Sequence, residues 1–398
     1  MRTWIEIDVP ALVHNLSIYR AQCENARLCL VIKGNAYGHD LKTMSTIVND
    51  IDSIDMVATA STQEAVHAYN YGCTKSILAL SILDEYLQAA ISYKIHVVAY
   101  DYHSLQIIVN AARTLYVQAY VHLKLDTGLN RLGLKLSEFL TFVRHARTYQ
   151  EIVIVGLFSH FANSEQRDQE FAYAQLRTFK HAINILHAQG YAIPYTHISC
   201  SASTLIHTYD PLFTMVRIGI GAYGLWPSPE NRQYALANNI HQELIPILSW
   251  YTTIIQIKEI EPGESVGYNR TFIATERRRI ALLPIGYWDG YDRRLSNNSW
   301  VRIHDKYAPI VGIVAMNLIM IDITYIPEAS RGTQVILIGP YPLINPSEIA
   351  LRCSTISYEI TTRINADIPR VAVQQPNRYT TKENPSIIPI ATQPFLSV

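Results

Sequence analysis

RLCLVIKGNAYGHD, residues 27–40, begins as an apolar run, stops on a lysine and passes directly into a Gly-Asn turn signal. A strand that closes on a polar residue in this way is the first of a series. Up to about residue 225, short apolar, β-branched runs alternate with longer segments of helical period, the pattern of repeated βα units on a parallel sheet. Eight such runs end near Lys33, Ala60, Ile82, Asp101, Asp126, His160, Ser201 and Gly221, in segments such as YVHLKLD, VIVGLFSH and THISCS. Eight units predict a closed (β/α)8, TIM-type barrel within an α/β chain. The helical period is clearest between Glu170 and His187, where Leu176, Phe179, Ile183 and Leu186 fall on one face.

From about Trp250 the rhythm changes to strands broken by short turns, in TTIIQIKEI, RRRIALLPIGY, VRIHD, IVGIVA and TQVILIG. This predicts a separate, mostly β C-terminal domain. The polar stretch at residues 228–245 separates the two rhythms, so the expected domains are 1–240, 241–375 and a Pro-containing tail at 376–398.

Composition narrows the function. Hydrophobic residues make up 49% and charged ones 17%, without long runs, which predicts a folded chain with a large core. Lys+Arg and Asp+Glu balance at 33 each, so no basic footprint for nucleic acid or an anionic membrane is expected, and a small molecule is the expected partner. The five cysteines are scattered and show no zinc-ligand spacing, so no metal is expected and they read as reduced thiols. No apolar h-region follows Met1 and no apolar stretch reaches about 18 residues, so a cytoplasmic location is expected.

Barrel enzymes place their chemistry at the C-terminal ends of the strands. That rim here collects Lys33, Arg131 just beyond Asp126, His160 and Ser201, with Arg217 inside the last run. Lys33 stands beside apolar walls, where desolvation disfavours an ammonium and leaves an amine able to form an imine.

VIKGNAYGHD resembles the pyridoxal-phosphate lysine motif of the alanine racemases, and further motifs of that family occur in its order as far as about Ala372. The resemblance implies that Lys33 carries pyridoxal 5′-phosphate and that Tyr37 helps to hold its phosphate. HLKLDTGLNRLGL (122–134) is similar to the segment in which Arg131 meets the substrate carboxylate and Lys124, often carbamylated, steadies it. GLFSHF (156–161) and MVRIGIGAYGLWPS (215–228) imply that Arg217 donates to the pyridine nitrogen and that His160 bridges Arg217 to a catalytic tyrosine. An arginine keeps its own proton, so the ring beside it is a weaker electron sink than one beside an aspartate. HISCSAS (197–203) and TISYEI (355–360) match the phosphate ligands Ser201 and Tyr358, with the N–H groups of Gly219 and Ile220 completing the cradle.

VGYNRTF (266–272) supplies Tyr268, by resemblance the second base facing Lys33. Racemisation needs a proton-handling group on each face of the planar α-carbon. GIVAMNLIMID (312–322) aligns Met316 with the family methionine whose N–H meets the substrate carboxylate. Gly34, Asp40, Cys200, Ala315 and Asn317 depart from the family pattern. The resemblance implies racemisation of alanine, supplying D-alanine for peptidoglycan, by a homodimer in which Tyr268 and Met316 complete the partner's site. The alternatives are a serine or broad-specificity racemase, a barrel-type amino-acid decarboxylase and a non-catalytic pyridoxal-phosphate binder. VGYNRTF and the complete β domain argue against the last two, and the retention of Lys124 favours alanine.

Overall fold

The computed structural model describes residues 2–374, apart from Glu24, Thr208, Asn239 and His241, and the expected tail at 376–398 lies outside the described residues. The chain divides into two compact units, Leu12–Leu244 and Met1–Ala11 together with Ile245–Val398.

The first unit holds eight parallel strands: Arg27–Val31, Met56–Ser61, Ser76–Ile82, Val97–Ala99, Ala119–Lys124, Ile152–Phe158, Tyr195–His197 and Met215–Ile218. Two seams close them into a ring. One is the parallel bridge between Leu78 and His96, with backbone bonds of 2.9 Å on either side. The other runs from the Thr214 N–H to the Thr196 carbonyl (3.0 Å) and from the Arg217 N–H to the Ser199 carbonyl (3.1 Å). The barrel predicted from the sequence is therefore present, and its last run forms a strand buried along its whole length.

Periodicity explains the helical layer. Helix Glu170–Ala188 buries Ala172, Phe179, Ala182, Ile183 and Leu186, and Leu176 packs half-buried against the same core. Helix Tyr102–Leu115 starts where Asp101 and Ser104 cap each other reciprocally. Among the described residues, no helix is long and apolar enough to cross a membrane.

The second unit is mostly β, as expected. Its six-stranded sheet runs in the order Lys306–Pro309, Trp300–Ile303, Gln334–Ile338, Leu248–Thr253, Thr3–Asp8, Arg370–Val373. The expected 1–240 domain is thus corrected at its start: Thr3–Asp8 pairs antiparallel with Leu248–Thr253 and parallel with Arg370–Val373. The apolar alternation of a strand says that it will pair but not with which partner, and here both partners lie more than 200 residues away in the chain. Between two neighbours, Ile5 and Ile7 are fully buried. Ile5→Ala is expected to cost about 3 kcal/mol, as for other emptied core isoleucines. Urea unfolding should register this as a lower midpoint; an unchanged midpoint would remove Thr3–Asp8 from the core.

Candidate functional site

After the first barrel strand the chain makes a left-handed turn. Gly34, Asn35, Ala36 and Tyr37 have φ of 62°, 52°, 54° and 53°. Such a turn costs about 1–2 kcal/mol for each residue that carries a Cβ, and local bonds offset it. The Gly38 N–H donates to the Gly34 carbonyl (3.1 Å), the Asp40 N–H to the Asn35 carbonyl (3.0 Å), and the Leu41 N–H to Asn35 Oδ1 (2.7 Å). Gly34, where the family has alanine, removes the strain at the first position. The turn sends Lys33 and Tyr37 in different directions. Lys33 stays open to solvent and Tyr37 is buried, its ring 4.9 Å from that of Tyr223. The Glu64 carboxylate ties the turn to the second strand by accepting the N–H groups of Gly34 (2.7 Å) and Ala60 (2.9 Å). The pKa of Lys33 is pushed down, first by the protein packed around its amine and then by Arg131 and Arg217, with Glu64 opposing.

Arg217 lies at the centre of the site, buried within the last strand. Its Nη1 donates to His197 Nδ1 (2.7 Å) and to the His197 carbonyl (3.1 Å). Its Nη2 donates to the carbonyls of Ser159 (2.9 Å) and Ile198 (3.1 Å) and to His160 Nδ1 (3.0 Å). Every one of these acceptors is neutral. Burial lowers the Arg217 pKa to about 10, so the side chain remains charged at neutral pH. Their own burial first, and then the Arg217 charge, hold His160 and His197 well below the usual histidine range. The expected link between His160 and Arg217 is therefore formed. Lys124 lies beside them, buried, with its amine 4.1 Å from the centre of the Phe158 ring. Burial and the charges of Arg217 and Arg131 favour its neutral amine.

Ser201 starts the short helix Ser201–Ile206, and its Oγ accepts the N–H groups of Gly219 (2.9 Å) and Gly221 (3.3 Å). A Cβ at Gly219 would fall 2.4 Å from the Tyr37 hydroxyl, so only glycine lets the two approach. Ser201, Tyr37 and the 219–221 backbone, with Ile220 buried in it, thus converge as the sequence leads one to expect, with Gly221 as an added donor. Cys200 turns to the Ser164 hydroxyl, 3.4 Å away.

Arg131 is exposed on a loop shaped by Asp126, whose Oδ1 accepts the N–H groups of Gly128 (3.0 Å) and Asn130 (3.1 Å). In the β unit, Tyr268 is 70% and Met316 54% exposed. Their loops touch, because a Cβ at Gly312 would lie 2.7 Å from the Val266 carbonyl and one at Gly267 2.8 Å from Met320. Tyr358 is half-buried on helix Ser357–Thr362.

Sequence reasoning passed over Glu64, His122 and His197. His122 had a signal, since it is a histidine set between the apolar Val121 and Leu123 of a barrel strand, where only a hydrogen-bonded polar group is tolerated.

A closed eight-stranded barrel with a β unit, and at its rim a strand-end lysine of lowered pKa beside a buried arginine and converging backbone N–H groups, define an enzyme of the barrel class. Residues 7–227 match the family model described as alanine racemase, N-terminal domain, and residues 247–372 that described as alanine racemase, C-terminal domain. An alanine racemase of Halothermothrix orenii is 35% identical over 92% of this chain and 96% of its own length. The alanine racemase of Clostridium difficile 630 superposes with a TM-score of 0.87 at 30% identity, covering 94% of this chain and 96% of its own. That of Bacillus anthracis with bound L-Ala-P gives 0.83 at 29% identity, covering 94% and 95%. The chain belongs to the alanine racemase family of enzymes.

The lowered pKa of Lys33 has a direct consequence for its reactivity. Competitive acetylation of the cofactor-free protein, followed by peptide mass analysis, should find Lys33 labelled at a lower pH than exposed surface lysines. Labelling in step with them would contradict the site electrostatics.

Proposed function

We propose that this enzyme interconverts L- and D-alanine with pyridoxal 5′-phosphate held on Lys33, that Lys33 and Tyr268 are its two proton-handling groups, and that its working form is a homodimer. The observation that carries the reading is the buried Arg217, charged yet held by neutral acceptors, on the same rim as Lys33. The residues fit the cofactor: the Gly219 and Gly221 N–H groups and the Ser201 and Tyr37 hydroxyls form a cradle with no room for a side chain at 219. In the proposed complex these groups, the Ile220 N–H and Tyr358 hold the phosphate, and Arg217 donates to the ring nitrogen. When bound, the pyridoxal group draws electron density from the substrate α-carbon and makes its proton removable.

The remaining roles follow from the side chains. Arg217 gives up no proton, so the nitrogen it faces gains a hydrogen bond but no full positive charge. A weak electron sink favours quick return of the proton over competing reactions. The lowered pKa of Lys33 favours the neutral amine, the form that takes a proton. A single group on one face would return the proton to the face it came from, so inversion calls for Tyr268 on the other.

Arg131 offers a planar fork for the substrate carboxylate, assisted by the Met316 N–H. The neutral amine favoured at Lys124 is the form that adds carbon dioxide, and the resulting carbamate would place a negative charge beside Arg131. Tyr268, Tyr287, Trp288, Met316 and Leu318 are all exposed on the β unit. The Tyr287 and Trp288 N–H groups donate to the Ala315 and Met316 carbonyls, so these exposed groups lie on adjoining loops, which supports a partner copy whose site receives Tyr268 and Met316. The product, D-alanine, would serve peptidoglycan assembly.

Holoenzyme in D₂O is expected to place deuterium at the α-carbon of both alanine enantiomers as they interconvert; absence of exchange would refute the reading. Lys33→Ala should abolish the visible absorbance of lysine-bound cofactor. Tyr268→Phe should slow exchange from L-alanine more than from D-alanine, and equal losses would contradict the division of labour.

A further inference from the structure

Arg217 is one end of a longer hydrogen-bonded string. Beyond Arg217 Nη1 and His197 Nδ1, His197 Nε2 lies 3.0 Å from His122 Nδ1, and His122 Nε2 lies 3.0 Å from His96 Nδ1. The string crosses the barrel lengthwise. His96 precedes the strand Val97–Ala99, and His160, on the other side of Arg217, follows the strand Ile152–Phe158. His122 and His197 are fully buried and His96 half-buried, ringed by Tyr120 and Tyr195 with ring centres 5.3 and 5.8 Å away.

The fold makes room for this string. Between the strands of His122 and His197 runs Ile152–Phe158, and it passes them with Gly156. A Cβ there would fall 2.0 Å from His122 Nδ1. The register of the two strands slips beside His122, at the same level. A glycine and an irregularity in the middle of a barrel strand both weaken the sheet, and both admit this one ring.

With neutral rings, the contacts allow one arrangement only. Guanidinium nitrogens can only donate, so His197 must accept at Nδ1 and carry its proton on Nε2. That proton goes to His122 Nδ1, and the proton on His122 Nε2 goes to His96 Nδ1. Burial keeps all three rings neutral, His96 titrating down at about 4. All three imidazoles then point their electron-rich nitrogen toward Arg217, and hydrogen bonds in such a chain polarise one another.

We propose that His96, His122 and His197 form a one-way string of neutral imidazoles that positions Arg217 for the reaction, anchored at the opposite end of the barrel from Lys33. The proposal rests on Arg217 serving the cofactor as read above. Its chemical sense lies in the absence of a carboxylate from the acceptors that hold Arg217. A carboxylate would hold the guanidinium equally well but cancel the charge that must act on the group it faces, whereas aligned dipoles fix the same geometry and leave that charge intact. His96 and His122 touch none of the reacting atoms in this scheme; they are positioning residues.

Imidazole ¹⁵N NMR of the holoenzyme tests the string itself, and activity tests its purpose. The expected spectra have His96, His122 and His197 neutral and protonated on Nε2; a proton on Nδ1 of His197 would overturn the proposal whatever the activity. His122→Leu is expected to lower kcat about tenfold, the upper end of what one hydrogen bond between neutral groups is worth, with an unchanged KM for alanine and a displaced absorbance band of the bound cofactor. His122→Gln, which can still accept and donate, should recover most of the loss. Equal kcat in the Leu and Gln variants would reduce the string to packing. Should His122→Leu fail to fold, the half-buried pair His96→Phe and His96→Gln carries the same comparison. A wild-type enzyme that exchanged no α-proton would refute the function instead, leaving the ¹⁵N spectra to decide the string.

Discussion

The arrangement depends on keeping one arginine charged inside a barrel with no carboxylate among its described partners. Burying an unpaired charge costs several kcal/mol even after relaxation, and Arg217 is almost wholly buried. Five hydrogen bonds offset that cost, three to carbonyls at the ends of neighbouring strands and two to imidazoles. The carbonyls of Ser159 and Ile198, just past the ends of their strands, supply acceptors at the barrel rim, and the His197 carbonyl takes the guanidinium as well as the Ser159 N–H. In the proposed enzyme this choice matters, because a donor that keeps its proton and its charge would act on a cofactor differently from an acid.

The same economy of backbone runs through the rest of the rim. The left-handed turn after Lys33 leaves the lysine exposed and Tyr37 buried toward the cradle. Glycine at 219 then lets the Tyr37 hydroxyl come within reach of the cradle, and glycine at 156 lets His122 cross between strands. Both serve close approach, and neither has a positive φ.

Much of this was legible in the sequence because barrel periodicity is local. Eight apolar runs, several of them ending on a polar residue, indicated the closed sheet and its rim, including Lys33, His160 and Ser201, with Arg217 inside the last run. What stayed hidden depends on contacts between distant segments. Thr3–Asp8 reads as a strand but pairs with residues near 250 and 370, so it joins the β unit. The Gly221 N–H reaches Ser201 through the bend of the chain after the last strand, which spacing does not reveal. His96, His122 and His197 are three isolated histidines in sequence and one line in space. A histidine at the centre of an apolar strand was the available clue, and its meaning depended on what lay one and two strands away.

The central claim is that Arg217 stays protonated and leaves the cofactor's ring nitrogen without a proton of its own. The most direct measurement is the ¹⁵N chemical shift of that nitrogen in holoenzyme prepared with labelled pyridoxal phosphate. A shift typical of an unprotonated, hydrogen-bonded pyridine is expected, and a pyridinium shift would contradict the claim.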